Sequence, residues 1–215
     1  MFREGLFLEP CTAEVYQMRW SRLRLTSRPS SPTGRTWRET TTTAIPTVSS
    51  PEKEILWASQ EGKVEDIARL LEADPKLVDV RDQDGYTPLH RACYGSHDEV
   101  VELLLKYDAP VDAQTIDGWT PLHSAALWGA DKCMAMLLNA PRINVNAQSN
   151  GGQTPLHVAC SSGHTSRVAL IQLLSHPWIQ PDLKNQQGET AYEVAERHTP
   201  YAYLFQMADK AVNQI

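Results

Sequence analysis

The sequence predicts an all-α solenoid. Helix-turn-helix units stack side by side through hairpin-like loops, and a disordered N-terminal tail precedes them. Three observations carry this reading. The tetrapeptide Thr-Pro-Leu-His starts at Thr87, Thr120 and Thr154, and a degenerate copy, Thr190-Ala191-Tyr192-Glu193, follows. The four starts lie 33, 34 and 36 residues apart. A second marker keeps the same beat (Val78-Asp79, Val111-Asp112, Val145-Asn146, Pro181-Asp182), and its Asp or Asn always stands 8 residues before the next Thr. A period near 33 is the signature of repeats that bury their apolar faces against one another. The invariant 8-residue segment implies a tight turn, and the varying lengths imply a helix end and its loop.

The elements follow in chain order. Residues 1–51 form the tail. Residues 21–50 hold fourteen Ser or Thr and three Pro, too little apolar surface to offset the entropy of ordering them. Within the tail, residues 14–25 (EVYQMRWSRLRL) have enough apolar side chains for a short helix against a partner, and Ser30, Ser31 and Ser50 are candidate phosphorylation sites. Repeat units are expected at 52–84, 85–117, 118–151, 152–187 and 188–210, with 211–215 as the C-terminal end. In each unit a Gly two residues before the Thr suits a turn with positive φ. Thr then caps a helix, and Pro occupies its first position, where a missing N–H costs nothing. The first helix is lined with small residues (Ala92-Cys93, Ala125-Ala126, Ala159-Cys160), which allow close approach. The second carries the large apolar load, such as Val100, Val101 and Leu104, or Leu170, Leu173 and Leu174. The first unit puts Trp57 where His would stand, and the last ends in Tyr201, Tyr203, Leu204, Phe205 and Met207. Both read as terminal units with one side toward solvent.

Composition narrows the function. The net charge of -6 divides into +3 for residues 1–51 and -9 for the rest. Phosphate neutralisation needs clustered Lys and Arg, so so acidic a domain is not expected to bind nucleic acid directly. It is better suited to basic protein segments. The apolar runs are too short to span a bilayer, and the first nine residues carry acids where a secretory signal would be apolar. Neither membrane association nor secretion is expected. The four cysteines contain no Cys-x-x-Cys pair, which fits a reducing compartment. The Arg-rich tail gives a mitochondrial presequence as an alternative, opposed by Glu4, Glu9 and Glu14.

The three Thr-Pro-Leu-His copies in register resemble the ankyrin-repeat family. The resemblance implies a rigid concave face for protein binding and no catalysis, in a nuclear or nucleocytoplasmic protein tied to transcriptional regulation. A cytosolic scaffold or pathway inhibitor would use the same face. A monomer is expected.

His90, His123 and His157 occupy one fixed position per unit, where the ring can bond the Thr hydroxyl and the adjoining turn, and they are spaced too widely to chelate one ion. Cys93, Cys133 and Cys160 read as small buried apolar residues. No phosphate-binding loop and no nucleophile–base pair stands out, so neither metal, cofactor nor catalytic residue is assigned. The expected partner-binding residues are Asp84, Tyr86, Tyr94, Ile116, Asp117, Trp119, Leu127, Trp128 and Gln153, read as solvent-facing hairpin tips and inner-helix positions. Exposed Trp and Tyr are typical anchors, and Asp84 and Asp117 would select a basic segment. A sharper alternative places the two Trp and two Tyr in an aromatic cage for methylated lysine. The tail is a candidate occupant of the same groove. Asn146 stands where asparagine hydroxylation occurs in the family, or simply bonds its loop.

Overall fold

The computed structural model describes residues 50–164 and 166–212. Ten α-helices run in order among them: α1 (Pro51–Glu61), α2 (Val64–Ala73), α3 (Pro88–Tyr94), α4 (Asp98–Lys106), α5 (Pro121–Trp128), α6 (Asp131–Leu138), α7 (Pro155–Ser161), α8 (Arg167–Leu174), α9 (Ala191–His198) and α10 (Tyr203–Val212). A 3-10 turn at Pro75–Asp79 follows α2. The expected tail, with its segment at 14–25, lies outside the described residues except at its end, where Pro51 already opens α1.

The odd-numbered helices pack on one another as an inner row and the even-numbered ones as an outer row. Local chemistry starts each inner helix of the middle units. The hydroxyls of Thr87 and Thr154 accept from the N–H of His90 and His157 at 3.4 Å, and Pro88, Pro121 and Pro155 each hold the first position. Small side chains let the inner row close up, so Ala92, Cys93, Ala125, Ala126, Ala159 and Cys160 are buried. The core between the rows is aliphatic, with Leu89, Leu104, Leu122, Met134, Leu137, Leu156, Leu170 and Leu173 almost fully enclosed. Truncating any one of these to Ala would cost about 2–5 kcal/mol.

The variable length of the units falls in two places. In unit four α7 ends at Ser161 and α8 begins only at Arg167, whereas Gly129 and Ala130 alone join α5 to α6. Unit three also carries a longer loop after its outer helix, where Arg142 adopts φ 68°. No helix of the described residues is long and apolar enough to cross a membrane.

Candidate interaction face

The hairpin loops are built alike from different side chains. Asp82 Oδ1 accepts from the N–H of Asp84 and Tyr86, Thr115 Oγ1 from Trp119, Ser149 Oγ from Gln153, and Asn185 Oδ1 from Gln187 and Glu189. Each such contact closes the turn on itself, as short Asx and Ser/Thr side chains do. Successive tips are then joined through the backbone. Ile116 donates its N–H to Asp84 O at 3.0 Å, Asn150 to Asp117 O at 2.9 Å, and Gln186 to Gly151 O at 3.0 Å. Gly118 stands at φ 77° with the Asn150 nitrogen 2.9 Å from where a Cβ would lie. Any side chain there would drive the two tips apart.

The histidines fasten one unit to the next. His90 Nδ1 accepts from the Thr87 N–H at 3.2 Å, which leaves the proton on Nε2, and that nitrogen donates to Trp119 O at 2.9 Å. His123 joins Thr120 to Gln153 O, and His157 joins Thr154 to Glu189 O, in the same way. Burial holds His90 and His123 neutral, with pKa values lowered to about 4, and it lowers His157 as well. Burial also raises the thiols: Cys133 to about 11, Cys160 to about 12, and Cys93 well above its ordinary value. Among the described residues no group of three His, Cys, Asp or Glu could hold a metal ion.

The expected binding residues separate into two sets. Ile116 is 66% exposed, and Asp117 beside it is exposed too. Asp84, Tyr94, Trp128 and Gln153 are half-buried. The other three contradict the expectation of solvent-facing positions: Tyr86 and Leu127 are 5% exposed and Trp119 is 7% exposed. For the two aromatic residues the reason is packing within their own units. Tyr86 meets the His90 ring edge-on at 5.5 Å and lies under the Arg91 guanidinium at 4.8 Å, while Trp119 packs against His123 at 5.8 Å. Arg91 is buried with Tyr86 and bonds Asp82 and Gln60.

The four aromatic side chains therefore do not converge as the cage reading requires. Tyr94 and Trp128 meet at 4.8 Å, and His164 continues that row at 5.1 Å from Trp128, but Tyr86 and Trp119 each pack on their own unit's histidine. The Tyr86 ring already carries a cation. Asn146 uses both ends of its amide: Nδ2 donates to Trp178 O at 2.7 Å, and Oδ1 accepts from the Gln180 N–H at 2.9 Å. It clamps the following outer loop. That loop presents Trp178, 75% exposed, which the sequence reading passed over. Its signal was an indole between Pro177 and Ile179, at the position that Arg142 holds between Pro141 and Ile143 in unit three.

Stacked helix pairs, tips joined through backbone, and a buried Thr–His cap in each middle unit define an ankyrin-repeat protein. A family model described as ankyrin repeats (3 copies) matches residues 55–149, and one described as ankyrin repeats (many copies) matches residues 127–174. The chain belongs to the ankyrin-repeat family, whose repeats indicate a protein–protein interaction module. Among individual proteins it is similar to ankyrin repeat domain-containing protein 49 of Mus musculus, 44% identical over 163 residues that cover 76% of this chain and 68% of that protein. The human protein of the same name is 40% identical over 163 residues, covering 76% of this chain and 67% of that protein. Human ankyrin repeat and SAM domain-containing protein 1A is 48% identical over 106 residues, which are 48% of this chain but 9% of that protein. Such ankyrin-repeat relatives are typically interaction proteins without an enzymatic role.

Proposed function

We propose that the chain is a non-enzymatic regulatory adaptor, nuclear and associated with transcription, that holds a basic protein segment against the tips and inner helices of units two to four. One observation carries the reading. Ile116 is exposed yet fixed, because its N–H is bonded to Asp84 O and its carbonyl accepts from Asn150 Nδ2 at 2.8 Å. An apolar side chain carried on a main chain that is already fixed loses little backbone entropy on docking. Asp84 and Asp117 flank it, and the -9 charge of residues 52–215 favours a cationic partner. Tyr94, Trp128 and Gln153 extend the surface, while Tyr86, Trp119 and Leu127 support it from beneath.

The test is quantitative partner profiling in cells with the full chain and its Ile116→Arg variant. Ile116 lies at an exposed tip, so the melting temperature should be unchanged, while the partners enriched with the parent should fall at least tenfold. An unchanged partner set would overturn the proposed face. Fluorescence imaging of the same cells separates the nuclear adaptor from a cytosolic scaffold using that face.

A further inference from the structure

On the other side of the molecule an open cavity of about 1190 Å³ lies between units two and three, at the C-terminal ends of α4 and α6. Its apolar lining includes Leu105 and Ala109 from unit two and Met136 and Pro141 from unit three. Its charged residues are not equivalent. Glu102 is paired with Lys106 at 2.8 Å, and Asp112 Oδ1 accepts from the Asn144 N–H at 3.0 Å. Asp108 and Arg142, one from each unit, enter none of the ion pairs among the described residues. Both are exposed, and both sit in the left-handed backbone region, at φ 57° and φ 68°. At Asp108 it closes the cap of α4, since the N–H groups of Asp108 and Ala109 bond Leu105 O and Leu104 O, whereas for Arg142 it has none of the local side-chain bonding that eases it in Asp or Asn. Backbone strain such as that at Arg142 concentrates where a chain holds a side chain for a task.

We infer that this groove is a second docking site, and that it takes an extended peptide segment carrying an apolar residue between an acidic and a basic one. The lining accepts the apolar side chain. Arg142 pairs with the acid in the planar geometry that guanidinium offers a carboxylate, and Asp108 pairs with the base. Opposite charges on the two units fix the direction of the segment, because the reversed orientation places like charges together. The groove is open along its length, which suits a segment of chain more than an enclosed small molecule. Its lining shares no residue with the proposed inner face.

The experiment selects from a displayed library of random 12-residue peptides with the full chain, then measures the enriched peptide by fluorescence anisotropy. Selected peptides should share the acid–apolar–base pattern. Asp108→Asn and Arg142→Asn keep a residue that tolerates the left-handed conformation while removing the charge, and each should weaken binding about threefold. Met136→Glu should abolish it, with a far-ultraviolet melt confirming that the variant is folded. The paired exchange Asp108→Arg with Arg142→Asp should favour a peptide of reversed order. Failure to enrich any pattern, or binding indifferent to these substitutions, would overturn the inference. Binding lost only in Ile116→Arg would place the peptide on the inner face and equally overturn it.

Discussion

The position three residues after the capping threonine is filled differently in the middle of the array and at its end. In units two to four it holds a buried neutral histidine that bonds backward to its own threonine and forward to the next hairpin. In the fifth unit it holds Glu193, which is exposed and only closes its own cap, accepting from Thr190 N–H at 2.7 Å and from the Thr190 hydroxyl at 3.1 Å. The first unit has Trp57 there, half-buried. The comparison teaches that in units two to four the histidine is a junction between its own cap and the next hairpin, whereas Glu193 closes its cap alone.

Acid should break this distinction most strongly. His90 and His123 have folded pKa values of about 4 against an ordinary value of 6.5, so below pH 6.5 the unfolded chain binds protons that the folded chain refuses. Stability is complete above pH 6.5 and falls as pH drops toward about 4, where the folded rings protonate as well. At pH 5 the two rings together should have cost about 4 kcal/mol, read as a fall in the urea unfolding free energy between pH 7 and pH 5. Next in size is His123→Ala, which leaves Gln153 O and the Thr120 N–H without this partner inside the stack. A loss of about 3 kcal/mol is expected at pH 7, together with a shallower response to acid than the parent shows. Glu193→Ala should barely move the same unfolding midpoint. A large effect there would show that the end of the array is built like its middle.

The glycines give the finest version of the contrast. Gly118 and Gly188 both have positive φ, but a Cβ on Gly118 would meet Asn150, whereas one on Gly188 would meet nothing within 4 Å. Gly188→Ala should therefore show the conformational cost alone, about 1 kcal/mol. Gly118→Ala should add about 2 kcal/mol from displaced neighbours. Equal losses in thermal or urea melts would mean that the tips are not in close contact.

These features differ in how far they could be read from sequence. The Thr-Pro-Leu-His caps and the aliphatic outer helices depend on neighbours three or four residues away, so a linear pattern reveals them. The burial of Tyr86, Trp119 and Leu127 depends on side-chain packing that residue type alone does not report: Tyr86 lies against His90 and Arg91, and Trp119 against His123. Ile116 was legible because the middle of a tight turn faces outward whatever lies beside it. Trp178 is placed by a long-range bond, since its carbonyl accepts from Asn146, 32 residues earlier. The cavity at Asp108 and Arg142 is a product of two loops of unequal length meeting across a unit boundary, which neither loop announces alone.

The forward bond of each histidine ends on a main-chain oxygen, carried in turn by Trp119, Gln153 and Glu189. A donor that addresses a carbonyl is indifferent to the side chain attached to the same residue. The seam between neighbours is thus written in atoms that every amino acid possesses. Whole modules could be duplicated, exchanged or appended without redesigning the joint, while the tip residues beside it drift freely toward new recognition tasks.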